Sequence, residues 1–293
     1  MPSIFERIAK STLNRVIKEG IDRALDKLFG NKKNTPKAEK PIKSNVVKTH
    51  PWRLCPAGEH WVVEHELTVP ANSKGPAYKT TRITECRSNP GKAEFYNALE
   101  FQEIARLHFE DLRNDPEAMP IPDTLGFPNG NDYDLSIAGW TKFWNETLKP
   151  EHPVTPDFIK VLISTESSFE VLPDTSSKVG PARGLIQITE PTRKILQNPK
   201  GELRDHLISL TPEESRETEP NIAAGIRWLY HKRELLKHRL KRKVSWEEAG
   251  AEYKGIFSDI GKDKKTDDIM LKMNERHNKL LAQRKNRKAR PGE

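Results

Sequence analysis

Four short blocks in the second half of this 293-residue chain carry side chains that could do chemistry together. The first ends on an acid: Ile163-Ser164-Thr165-Glu166, followed by Ser167-Ser168-Phe169. A carboxyl among apolar neighbours loses hydration, which favours its proton-carrying form. Such a group can hand a proton to a leaving oxygen, the work of a general acid. The second block is Ala182-Arg183-Gly184-Leu185-Ile186-Gln187-Ile188-Thr189. There Gly184 permits close backbone approach, and Gln187 offers both a donor and an acceptor. The third, Asn221-Ile222-Ala223-Ala224-Gly225, supplies small residues suited to tight helix packing. The fourth, Ala251-Glu252-Tyr253-Lys254-Gly255, brings a phenol that could orient a carboxyl. Taken singly, each block has a plain structural reading: a surface helix acid, a turn, a helix start and a helix end.

Taken in order, the four blocks resemble the lytic transglycosylases of the soluble (SLT) type, relatives of goose-type lysozyme. Glu166-Ser167 matches that family's Glu-Ser pair, and Gly184-Leu185-Ile186-Gln187 is similar to its Gly-Leu-Met-Gln with Ile186 in the Met place. Family members commonly show Ala-Tyr-Asn-Gly in the fourth block; here Lys254 stands for the Asn and Glu252 precedes the Tyr. The resemblance covers roughly residues 150–257. It implies a peptidoglycan lytic transglycosylase that cuts the MurNAc-GlcNAc β-1,4 bond and forms 1,6-anhydro-MurNAc. Glu166 would be the single general acid and base, with Ser167, Gln187 and Tyr253 binding substrate and no metal or organic cofactor required. Two other readings stand beside it. A goose-type muramidase would hydrolyse the same bond with a second acid, Asp174 before Glu170 or Glu190. A non-catalytic domain could bind glycan as a component of an envelope-spanning machine.

Helical elements must position these blocks. Thr155-Pro156-Asp157 reads as a helix start, with a capping Thr, Pro in the first turn and an acid against the positive helix end. Phe158, Val161, Leu162 and Thr165 then keep helical spacing up to Glu166. Helices are also expected over 94–113, through Leu99, Ile104, Leu107 and Phe109, and over 134–148, through Ile137, Trp140, Phe143 and Trp144. Between them, 115–131 is rich in Pro, Gly and Asn and reads as a loop. Ser245-Trp246-Glu247-Glu248 is a capping box for the helix leading to Tyr253. The fold class expected is mainly α, a lysozyme-like catalytic domain preceded by a small β hairpin module and an N-terminal amphipathic helix.

That N-terminal helix is expected over residues 3–29, on an apolar stripe from Ile4 to Phe29, and could dock on a protein partner, a second copy or a membrane surface. The organisation expected is an amphipathic helix at 1–30, a linker at 31–48, a small β module at 49–95, a helical lead-in at 96–149, the catalytic domain at 150–275 and a basic tail at 276–293. The β module rests on strand-like 61–69 and 78–84, joined through 70–76. Cys55 and Cys86 flank it and could form a disulfide, help bind zinc with nearby His50, His60 or His65, or stay as thiols.

The net charge of +8 is concentrated at the ends, with twelve Lys and Arg against five acids in residues 1–48 and seven against one from Arg276 onward. Basic ends suit anionic wall polymer or membrane. The runs 237–243 and 284–290 lack interleaved aromatics or a reading motif, which argues against a nucleic-acid partner. No apolar run approaches the roughly 20 residues that cross a bilayer, and Met1 to Gly30 lacks the apolar centre of a secretory signal. The enzyme is therefore expected to reach the periplasm or cell wall by a specialised secretion system, a virion or holin-dependent lysis.

Overall fold

Aromatic side chains fill the centre of the fold, and their spacing in the sequence explains why the helices lie where they do. The computed structural model describes residues 52–289 apart from 63–64, 70–77, 83–84, 90–92, 172–174 and 178–179. The described residues belong to one compact unit. The helix expected over 3–29 and the linker after it lie outside the described residues.

The β module is a long hairpin. Strand β1 (Glu59–Val62) pairs antiparallel with β4 (Glu85–Ser88), and β2 (His65–Val69) with β3 (Tyr78–Arg82). Val62 faces Glu85 and His65 faces Arg82, so both ladders share one register. Of the three states open to its two cysteines, the disulfide is the one present, Cys55 to Cys86 at 2.07 Å. Two residues before Cys55, the buried Arg53 reaches Glu100 at 2.9 Å and also pairs with Glu94. Burial pushes the Glu100 carboxyl up to about 7, and the Arg53 guanidinium opposes that rise. This pair and the bond from Asn97 Nδ2 to the Trp61 carbonyl (3.0 Å) tie the hairpin to the helical part.

The segment 94–113 departs from the single helix expected. Glu94–Asn97 is a strand, β5, pairing parallel with β9 (His206–Ser209). Asn97 then caps helix α1 (Ala98–His108), its side chain accepting from the Glu100 amide, and a 3-10 turn follows at Glu110–Asn114. A strand partner about 110 residues away outweighs the local helical pattern, because the ladder satisfies backbone groups that this short stretch cannot satisfy alone. Phe101 and Ile104 are buried, whereas Leu107 is half exposed.

Helix α2 (Asp134–Leu148) has the bounds that its spacing predicts, and Ile137, Trp140, Phe143 and Trp144 are all fully buried. Its Gly139 leaves room for Phe109, whose ring would lie 2.3 Å from an added Cβ. Helix α3 (Pro156–Glu166) starts as expected, with the Thr155 hydroxyl accepting from the Phe158 amide. Strands β6 (Thr175–Ser177), β7 (Gly180–Arg183) and β8 (Ile188–Thr189) form a small antiparallel sheet. Helix α4 (Glu190–Leu196) follows it. The long α5 (Thr218–Leu240) then packs on α2, with the Trp144 indole donating to the Ala223 carbonyl at 2.8 Å. Helix α6 (Trp246–Tyr253) opens on the expected capping box at Ser245 and Glu248.

Helix α7 (Lys264–Ala289) carries the basic residues from Arg276 to Lys288, and it packs on α3. Arg284 donates to the buried Asp157 at 2.5 Å, so that acid serves as more than a helix-end charge. Lys160, also on α3, is buried and bonds the Ile121 carbonyl (2.9 Å), Asn131 (2.7 Å) and Asp134. The 115–131 loop is thereby fastened to α3 from the inside. None of the helices among the described residues is long and apolar enough to cross a membrane.

Replacing Cys55 and Cys86 by Ser should lower the stability of the folded chain by about 2–4 kcal/mol, the usual worth of such a bridge. Denaturant unfolding of the double variant checks this, and an unchanged midpoint would show the bridge to be idle.

Candidate active site

Glu166 is the last residue of α3, a helix whose other turns are buried. Its side chain is 13% exposed, so the carboxyl sits at the boundary between core and solvent. The chain after it turns sharply. Ser167 is buried, its amide bonds the Ile163 carbonyl at 3.0 Å, and its hydroxyl reaches that same carbonyl at 3.5 Å. Ser168 and Phe169 both adopt left-handed backbone, with φ of 56° and 62°. Two successive non-glycine residues in that region cost energy and persist only where packing compels them. Phe169 supplies that packing, fully buried with its ring 5.8 Å from that of Phe127.

The nearest charged partner of Glu166 is a cation, where the sequence suggested only apolar neighbours. Lys254 Nζ lies 2.9 Å from Glu166 Oε1 and 3.0 Å from the Thr165 carbonyl. Arg276 from α7 donates to the Ser164 carbonyl at 3.1 Å and to its hydroxyl at 3.0 Å. The last carbonyls of a helix lack partners within it and carry the negative end of its dipole. Here two cations from different helices satisfy them. The signal was present in the sequence, as the Lys in the place of the usual Asn, but its partner was not.

Gln187 sits in the turn between β7 and β8. That turn is built around Asn221, a fully buried residue of α5. Its Nδ2 donates to the carbonyls of Arg183 (2.9 Å) and Ser215 (2.7 Å), and its Oδ1 accepts from the Ile186 amide (2.9 Å). Gly184 has φ of 70°, and an added Cβ there would lie 2.4 Å from the Asn221 side chain. Its first task is therefore to admit Asn221. Gln187 is half-buried, has a φ of 54°, and its Nε2 donates to the Gly184 carbonyl at 2.8 Å. Ile186, in the place of the usual Met, packs directly on Gly225 of α5.

Tyr253 closes the arrangement. Its hydroxyl donates to the Ile186 carbonyl at 2.7 Å, next to Gln187. Burial, and then the negative charge of nearby Glu166, push the phenol well above its ordinary value, so it stays a donor. One chain of contacts thus runs from Glu166 through Lys254 and Tyr253 to the Gln187 turn. Ser167 lies next to Glu166 in the chain, but its hydroxyl points back into the helix end.

The other acids considered are placed differently. Glu190 pairs with Arg193 at 2.6 Å and Arg183 at 3.1 Å, and the Arg193 hydrogen bond holds its carboxyl below the usual range. Glu170 is exposed beyond the strained turn, and Asp174 lies outside the described residues. Among the described residues no group of three or more His, Cys, Asp and Glu is arranged to hold a metal ion.

A mainly helical lysozyme-like domain with an acid at the end of a buried helix is the class of protein defined here. Residues 144–274 match the family described as the Transglycosylase SLT domain, and this part of the chain is such a domain. That family is one of peptidoglycan lytic transglycosylases acting on the cell wall. Neither the curated proteins nor the solved structures include a match to the chain.

The fit of Ile186 on Gly225 gives a sharp expectation. Gly225→Ala places a methyl 2.1 Å from Ile186 Cγ2. Alanine gains about 1 kcal/mol in helix propensity, but overpacking costs about 1–3 kcal/mol. The net result should be a lower unfolding midpoint, with Ile186→Ala and Gly225→Ala together less damaging than their sum. Additive losses would mean that the two residues do not share this contact.

Proposed function

We propose that this protein cleaves the MurNAc-GlcNAc β-1,4 bond of peptidoglycan with Glu166 as its only acid and base. In the first half of the reaction the Glu166 carboxyl gives its proton to the glycosidic oxygen, and the bond from the muramoyl C1 to that oxygen breaks. The carboxylate then removes the proton from the C6 hydroxyl of the same muramoyl sugar. The C6 oxygen bonds to C1 and closes the 1,6-anhydro ring. Glu166 ends protonated again, now by the proton of the C6 hydroxyl, and no water is consumed. The attacking hydroxyl belongs to the cleaved sugar, so proximity takes the part that a second carboxylate and a bound water play in a hydrolase.

The observation that carries this reading is the site of Glu166 itself. It is a carboxyl at the partly exposed end of a buried helix, within the stretch matched by the SLT domain, held at Oε1 and neighboured by Tyr253. The arginine clamp on Glu190 weighs against a two-carboxylate hydrolase that uses that residue. Gln187 and Tyr253 line the approach to Glu166 as substrate-binding residues. Ser167, buried and bonded to Ile163, supports the helix end beneath the acid. The glycan strand is the partner in this reading, and neither metal nor organic cofactor takes part.

Mass spectrometry of the soluble products from purified sacculi tests it. The wild-type protein should release muropeptides ending in 1,6-anhydro-muramic acid. Glu166→Gln should lower their release by at least about a hundredfold while keeping a cooperative thermal unfolding transition. Full activity in that variant would show that the acid is misassigned.

A further inference from the structure

Lys254 is the one member of the Glu166 cluster for which the reaction above has no use. It is almost buried, its side chain 11% exposed against 13% for Glu166, and its ammonium meets the carboxyl at 2.9 Å. The flexible four-carbon stem is fixed at its head by three contacts: Glu166 Oε1, the Thr165 carbonyl and, at 3.4 Å, the Thr165 hydroxyl. Holding a lysine so tightly costs side-chain entropy, and a plain helix cap would not need the contact to the acid.

The other ionisable groups around this end of α3 are engaged elsewhere or neutral. Arg276 from α7 is bound to Ser164, and Tyr253 from α6 keeps its proton. Asp134 from α2 pairs with Lys160 further back along α3. Arg183 and Glu190, beside the Gln187 turn, pair with one another. Among the described residues, Lys254 is therefore the cation in contact with the Glu166 carboxyl.

We propose that Lys254 is a positioning residue that acts through Glu166, fixing the carboxyl at Oε1 and stabilising the negative charge that appears there as the proton leaves. The proposal rests on Glu166 being the acid, as above. Lys254 takes no part in the proton transfers: one proton passes from Glu166 to the glycosidic oxygen, and a second passes from the C6 hydroxyl to Glu166. A charge-assisted hydrogen bond of this length is among the stronger ones available to a side chain. With Oε1 held, the carboxyl keeps one orientation toward the bond it must protonate. The usual Asn of the family could hold the same oxygen through a neutral amide, on a shorter side chain.

The test compares the full wild-type chain with Lys254→Met and Lys254→Asn, measuring kcat and KM for muropeptide release from soluble peptidoglycan glycan strands. Both variants should give the same 1,6-anhydro products. Lys254→Met, which cannot hold Oε1, should lower kcat by about tenfold or more with KM little changed. Lys254→Asn, which can still donate to that oxygen, should keep more of the rate. Thermal unfolding of each variant is measured alongside. A Lys254→Met variant that changes only KM, or only loses its unfolding midpoint, overturns the proposal and leaves Lys254 a helix brace. If Lys254→Met fails to fold, Lys254→Ala takes its place. Wild-type protein that releases no anhydro product would remove the Glu166 reading and this one together. Wild-type activity with unchanged variant kinetics would remove only this one.

Discussion

The buried carboxamide of Asn221 is the interaction on which the rest of the site depends. The turn between β7 and β8 has few ladder partners of its own, and its backbone groups face the core rather than water. A buried carbonyl or amide left without a partner costs about 1–3 kcal/mol. Asn221 removes three such costs at once, at Arg183, Ile186 and Ser215. The surrounding small residues follow from this. Gly184 has no Cβ because Asn221 occupies that space, and Gly225, one helical turn on from Asn221, has none because Ile186 does. With the turn held, the Ile186 carbonyl is fixed, and Tyr253 has a partner that sets its ring beside Glu166.

The acid itself is placed by a second set of constraints. Helix α3 is buried along its length and pinned in its first half by Asp157 and Lys160, which draw in Arg284, the 115–131 loop and α2. A helix held that firmly presents its last residue at a fixed point. The left-handed pair Ser168-Phe169 then turns the chain away, so the carboxyl is left at the surface without a following turn to cover it. The orphan carbonyls of that end are met by Lys254 and Arg276. A cation needed to finish the helix is thereby also a cation beside the acid, and packing and chemistry meet in one residue.

How much of this could be read from the residues alone depended on the range of the interactions involved. Helix α2, the Thr155 cap, the Ser245 capping box and the position of Glu166 at a helix end were all legible, because caps and apolar spacing are written within a few residues. The lysozyme-like fold class was legible through the four motif blocks. The strand at Glu94–Asn97 was not, since its partner begins at His206. Asn221 looked like a packing residue, because its hydrogen-bond partners lie 6 to 38 positions away. Lys254 was visible as a departure from the family pattern, yet its contact to Glu166 spans 88 residues and no local pattern encodes it. The pairing of Cys55 with Cys86 was one of three readings, because no local pattern brings together two sulfurs 31 residues apart.

The central claim is that one carboxyl serves as acid and then as base while the sugar supplies its own nucleophile. Digesting sacculi in water enriched in heavy oxygen tests this most directly, because every hydrolysed bond must take up the label. The account predicts that the muramoyl ends released by the wild-type protein carry none, their C1 being bonded to their own C6 oxygen. Labelled reducing muramic acid as the primary product would contradict it and call for a second catalytic carboxylate.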